Sequence, residues 1–171
     1  MKAIYLIGFM GSGKSSVLRL LAEKMAVPGL DTDQQIEQTT QRTIPEIFQS
    51  QGEMAFREKE TDTLMKMPKT DAVVATGGGI VESDVNRKWM KENVIVVYLH
   101  TTLDEIERRL GNDRSRPLWK KHGKAALYEN RLGKYRQTAD ILIETDGKSP
   151  EQVAEEIHQL IRKGKTDMLD L

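Results

Sequence analysis

The sequence predicts an α/β protein built in three layers, with a central five-stranded parallel sheet between two layers of helices. Three observations predict it. Short β-branched runs alternate with helical patterns along the chain. These runs lack the polar alternation of a half-exposed strand, so burial on both faces is expected, as in a parallel sheet. The first run, Ala3–Ile7, leads directly into a glycine-rich loop, GFMGSGKSS, at positions 8–16.

In chain order, strands are expected at Ala3–Ile7, Ala72–Ala75, Val94–Leu99 and Ile141–Ile143, with a weaker one at Val27–Leu30. Helical patterns occupy Lys14–Met25, Gln34 to about Met67 in two or three pieces, Glu82–Lys91, Leu103–Leu110 and Pro150–Arg162. Repeated units of this kind imply right-handed crossovers. Residues Gly164–Leu171 read as a frayed tail. With 171 residues, one well-filled domain is expected over 1–171. Two segments exceed a bare β-α-β count. One is the helical insertion from Asp33 to Met67, of which about 33–61 is expected to bind substrate. The other is Gly111–Lys124, GNDRSRPLWKKHGK, rich in bases and turn formers, and a loop of this kind in a compact domain is usually either a functional lid or disordered.

Composition narrows the class. The chain has 26 basic and 26 acidic residues, so no net field points to nucleic acid or membrane, and neither is expected as a partner. No basic face with stacking aromatics favours nucleic acid either. Cysteine is absent, which removes disulfides, thiolate metal sites and a cysteine nucleophile. His100, His122 and His158 lie too far apart for a metal spacing. No apolar stretch reaches the roughly 18 residues of a membrane span. The join of Met1-Lys2 to the first strand leaves no room for a cleaved signal peptide, so a cytoplasmic protein is expected. With no heptad or long exposed apolar run, a monomer is expected.

The loop carries the chemistry. Gly8, Gly13, Lys14 and Ser15 satisfy G-x-x-x-x-G-K-[ST] between a buried strand and an amphipathic helix. Its N–H groups and the helix N-terminus would cradle an anion. Lys14 would reach the β- and γ-phosphates, and the Ser15 hydroxyl would ligate Mg²⁺. A nucleoside triphosphate is the expected ligand, held by Gly11, Ser12, Gly13, Lys14, Ser15 and Ser16. Guanine recognition would leave N-K-x-D, which is absent, and the third strand ends in Thr76-Gly77-Gly78-Gly79 instead of D-x-x-G. A GTPase switch is therefore disfavoured.

Neither the third nor the fourth strand ends in a carboxylate. The acids follow the second, in LDTD, where Asp31 and Asp33 would face one side of an extended backbone. One could serve Mg²⁺ and the other could orient or deprotonate an acceptor hydroxyl. The alternative is that Asp33 simply caps the next helix. Three glycines after a buried strand would let a compact substrate lie against bare backbone and meet its N–H groups. In IFQSQGEMAFREKE, Arg57 and Glu60 are spaced to share a helical face and pair, which suits Arg57 to gripping a substrate anion. Arg131, with Leu127 and Tyr135 at i±4, reads from spacing alone as a surface arginine.

Taken together, GFMGSGKSS, LDTD, IFQSQGEMAFREKE, ATGGG, RSRPL and RLGKY resemble the shikimate kinase family over about Lys2 to Arg162. That family is a branch of the nucleoside-monophosphate-kinase-like P-loop enzymes. The resemblance implies ATP- and Mg²⁺-dependent phosphorylation of the 3-hydroxyl of shikimate, in aromatic amino-acid biosynthesis. It implies that Asp31 supports Mg²⁺ with Ser15, and that Asp33 binds shikimate hydroxyls and is the candidate base. Arg57 and Arg131 would grip the carboxylate, with Glu60 steadying Arg57 and the Gly77–Gly79 backbone contacting substrate. Arg116 in the lid would close on the transferring phosphate, and Arg109 and Pro150 would flank adenine. Two departures are Ser16, where threonine is frequent, and a lid enriched by Arg114 and Trp119. Lys120, Lys121 and Lys124 read as solvated bases. Two other readings stay open, a gluconate kinase using the same loop and chemistry and a nucleotide-binding module without catalysis.

Overall fold

The computed structural model describes residues 1–110 and 123–169, with side chains through Gly164. Five strands form one parallel sheet: β1 (Ile4–Ile7), β2 (Gly29–Asp31), β3 (Val73–Ala75), β4 (Ile95–His100) and β5 (Ile141–Glu144). Their order is β2-β3-β1-β4-β5. Among the described residues the α-helices are α1 (Lys14–Met25), α2 (Thr32–Thr40), α3 (Ile44–Lys66), α4 (Asp84–Asn93), α5 (Leu103–Leu110), α6 (Lys124–Thr138) and α7 (Pro150–Leu169). A 3-10 turn, Ile80–Glu82, links β3 to α4.

Strand periodicity builds the three layers. In β1, Ile4 and Leu6 point to one face, where Val17, Leu21, Val153 and Ile157 of α1 and α7 cover them. Tyr5 and Ile7 point to the other, against Met90 of α4 and Leu127, Tyr128 and Tyr135 of α6. All four β1 residues are buried, as a strand covered on both faces must be. The edge strand β5 is less covered and leaves Leu142 exposed. The insertion has a small core of its own, Ile36, Ile47 and Phe56. A Thr43/Glu46 capping box starts α3, worth about 1 kcal/mol, and Gly52 (φ 85°, ψ 175°) kinks it.

The sheet orders the site. β1 pairs with β3 on one side and β4 on the other. The crevice at its carboxyl end is therefore the place where an open α/β sheet accepts ligands. Gly13, the residue before α1, has φ 93°, a conformation that an L side chain resists.

Most strand ends differ from expectation by one residue, helix α6 is not among the expected spans, and three further differences have a local cause. The second strand starts at Gly29, because Val27 N–H is spent on Ala22 O at the end of α1 and Pro28 has no N–H. The helix expected from Glu82 begins at Asp84, because Ser83 caps it by accepting from Asn86 N–H. The expected frayed tail is instead helical as far as Leu169, and a single glycine such as Gly164 costs a helix only about 1 kcal/mol.

Candidate active site

The glycine loop forms the floor of a cleft of about 240 Å³ lined by Gly13, Lys14, Ser15, Asp31, Asp33 and Gly77. Lys14 Nζ donates to Gly8 O (2.6 Å) and Phe9 O (3.1 Å) and lies 3.5 Å from Ser12 Oγ. Its charge is thus held over the loop, where a phosphate chain would compete for it. Asp31 ends β2 and caps α2, its Oδ1 accepting from Asp33 N–H (2.8 Å) and Gln34 N–H (3.1 Å). Asp33 is therefore not the cap. It is already inside α2, so the strand argument for a shared side does not apply, yet both acids reach the same cleft.

Asp33 is half-buried, and its Oδ1 is shut off from solvent with no hydrogen-bond partner. Burial, then the charges of Glu60 and Asp31, push its pKa up to about 7, against an opposing pull from Lys14. A carboxylate near neutrality beside a phosphate cleft suits proton transfer.

Beyond Asp33 a second pocket, of about 100 Å³, shares Met10, Asp33, Gly77 and Gly78 with the first. Arg57 Nη1 donates to Glu60 Oε1 at 2.8 Å, as their spacing predicts, and Glu53 lies 3.7 Å from Arg57 Nε. Burial pushes Glu60 above its ordinary pKa while Arg57 pulls it down. Arg131 is 1% exposed, contrary to its surface reading. Helical spacing identified its face of α6 correctly, but that face packs against the triple glycine and Glu82 rather than solvent. Its Nε and Nη1, and Glu60 Oε2, have no hydrogen-bond partner. Unpaired groups of this kind, aimed at one pocket, are what an anionic polar ligand would satisfy.

The triple glycine is explained by space. None of Gly77, Gly78 and Gly79 has a positive φ. A Cβ on Gly77 would stand 2.6 Å from Asp33 Oδ1, and one on Gly79 would stand 2.6 Å from Arg57 Cζ. On Gly78 it would meet Arg131 Nη1 at 3.3 Å. Gly77 N–H is not left for a substrate, because it donates to the buried Thr32 Oγ1 at 3.0 Å. Gly78 and Gly79 N–H make no hydrogen bond among the described residues.

A third pocket, of about 400 Å³, adjoins the loop through Gly13 and Ser16 and contains Arg109 and Pro150. Arg109 is held by Glu105 Oε1 (3.0 Å), Gly11 O (3.3 Å) and Thr145 O (3.4 Å). Hydrogen bonds from Arg108 and then Arg109 hold the Glu105 carboxyl down at about 2. Arg114, Arg116, Trp119, Lys120 and Lys121 lie outside the described residues. Lys124 opens α6 and pairs with Glu107 at 3.7 Å, so it is not merely solvated. Sequence reasoning missed Thr32 and Tyr135. The Tyr135 hydroxyl donates to Gly78 O (2.6 Å), and its ring stacks on Tyr98 at 5.1 Å. A tyrosine in the motif RLGKY was the available signal.

A family model described as shikimate kinase matches residues 10–162. The chain belongs to the shikimate kinase family. The shikimate kinase of Bacillus mycoides is 42% identical over 166 residues, covering 95% of this chain and 100% of that one. A solved shikimate kinase from Acinetobacter baumannii, in complex with shikimate, is 38% identical with a TM-score of 0.90, covering 96% of this chain and 95% of that one. The shikimate kinase structure from Aquifex aeolicus is 32% identical with a TM-score of 0.84, covering 95% and 98%. The fold is accordingly the α/β P-loop kinase fold, and no helix among the described residues is long and apolar enough to cross a membrane.

Proposed function

We propose that this shikimate kinase transfers the γ-phosphoryl group of ATP to the 3-hydroxyl of shikimate. The observation that carries it is the meeting of two pockets at Asp33: the phosphate loop on one side, Arg57, Glu60 and Arg131 on the other. Nucleoside, phosphates and acceptor can thus lie in one continuous line. Arg109 and Pro150 flank the base, Gly11 to Ser16 wrap the phosphates, and Lys14 stabilises charge on the transferring group. Arg57 and Arg131 bind the shikimate carboxylate. Asp33 orients the acceptor hydroxyl and takes its proton as oxygen bonds to phosphorus and the bond to ADP breaks. Arg116 is assigned to the transferring phosphate by its motif alone.

The donor set fits Mg²⁺. No cluster of three acids or histidines able to cage a metal occurs among the described residues. Asp31 and Ser15 share the phosphate cleft, and Mg²⁺ commonly takes one or two protein oxygens with phosphate and water. Asp31 commits Oδ1 to the α2 cap, which leaves Oδ2 for the ion or its water. When bound, Mg²⁺ would neutralise phosphate charge. We assign the substrate-binding insertion to about 33–61 and the lid to about 111–124 of one domain. A cytoplasmic monomer without nucleic-acid partners fits the balanced charge and the spread of exposed large apolar residues over α3, α4, β5 and α7.

ADP release from MgATP should be strong with shikimate, weak with gluconate and near background without acceptor. It should fall about 10²-fold in Lys14→Ala. Release with gluconate alone would overturn the acceptor, and ATP binding without acceptor-dependent release would favour a non-catalytic module. Gly79→Ala should raise KM for shikimate about tenfold by pushing Arg57 off Glu60, with KM for ATP nearly unchanged. Steady-state kinetics in both substrates checks this, and an unaltered KM for shikimate would remove Gly79 from the acceptor site.

A further inference from the structure

Arg131 is buried in the pocket wall, yet no hydrogen bond holds its Nε or Nη1. A buried guanidinium needs a nearby negative charge to stay in place. Arg57 already engages Glu60. Asp33 and Glu60 line the same pocket, and Glu82 is the acid within ion-pair reach of Arg131, its Oε1 lying 3.9 Å from Arg131 Nε. That separation is too long for a hydrogen bond and short enough for strong coupling. The same Oε1 accepts from Lys134 Nζ at 2.9 Å.

The local fold produces this arrangement. Gly77 O and Gly79 O close the 3-10 turn by accepting from Ile80 and Glu82 N–H, so the turn that bares the glycines also presents Glu82. Arg131 and Lys134 stand three residues apart on α6 and face that one carboxylate together. Glu82 supplies the charge that orients Arg131. Lys134 takes the hydrogen bond that would otherwise go to Arg131, leaving Arg131 Nε and Nη1 in the pocket wall without a protein acceptor.

We infer that Glu82, held by Lys134, is a positioning residue that keeps Arg131 aligned, with Nε and Nη1 not hydrogen-bonded by the protein, for the carboxylate of the acceptor. This rests on the reading of Arg131 as an acceptor-binding residue.

The experiment measures steady-state kinetics of Glu82→Gln, Lys134→Met and the double variant, with shikimate and with its methyl ester. With shikimate, each single variant should raise KM about tenfold, with kcat moving far less and KM for ATP staying within about twofold. The double variant should be no worse than Glu82→Gln alone, because Lys134 acts through Glu82. With the methyl ester, which gives Arg131 no anion to grip, wild type and Glu82→Gln should share one KM. A fall in KM for shikimate in Glu82→Gln would mean that Glu82 merely repels the acceptor, and would overturn the inference. So would an equal defect with the ester, or additive losses in the double variant. Lys134→Met, at a part-exposed position, decides the matter if Glu82→Gln does not fold. Arg131→Lys separates the two levels: an unchanged KM for shikimate there would sink the acceptor reading itself.

Discussion

Asp33→Asn should lower kcat about 10³-fold while making the folded protein more stable above neutral pH. The turnover loss follows from removing the only group at the pocket junction assigned to receive the hydroxyl proton. In the wild type, burial and the nearby Glu60 and Asp31 charges hold the Asp33 pKa up to about 7. The base form is the ionised one. Hence kcat/KM for shikimate should climb as pH passes through about 7 and level off above it. Stability should run the other way. Between the unfolded value near 4 and about 7, the folded state holds the proton more tightly, so stability falls as pH rises through that window. Asparagine carries no charge to desolvate. At pH 8 it should be more stable by roughly 1–3 kcal/mol, a trade of stability against activity. Denaturant melts and pH–rate profiles check both halves. Substantial retained turnover would reduce Asp33 to an orienting group, and a flat profile would remove its titration from the reaction.

Arg131→Met should lower kcat/KM for shikimate about 10²–10³-fold, mainly through KM, with KM for ATP nearly constant. The guanidinium is one of two cations assigned to the acceptor carboxylate, and its loss leaves that anion poorly paired in a dry wall. Folding should not suffer. Methionine fills a similar volume and removes the desolvation cost of a buried guanidinium, which offsets the lost coupling to Glu82 at 3.9 Å. Glu60 keeps Arg57 and Glu82 keeps Lys134, so neither acid is stranded. Isothermal titration with shikimate and a thermal melt test the pair of outcomes. Unchanged acceptor affinity would remove Arg131 from the site, and a large drop in melting temperature would recast it as a structural residue.

The fold was legible because its signals are local. Buried β-branched runs, the loop after β1 and the Arg57–Glu60 spacing each depend on a few neighbouring residues. What was not legible depends on what faces an element across space. Arg131 shows the difference: periodicity gave its face on α6 but not the glycine turn covering it. Asp33 shows another. Capping went to Asp31, because a side chain at the end of β2 reaches the first free N–H groups of α2, while one inside the helix does not. The glycines were identified as a bare surface, but their reason lies in side chains from α2, α3 and α6.

That triple contact has an evolutionary consequence. Each glycine makes room for a different partner: Gly77 for Asp33, Gly78 for Arg131 and Gly79 for Arg57. Enlarging a glycine displaces the end of its partner's side chain, so a single step at these positions weakens the present acceptor site before it can build a new one. Drift toward another substrate must pass through coupled changes, and the least encumbered of them begins at Gly78, where an added methyl group would be crowded rather than in collision.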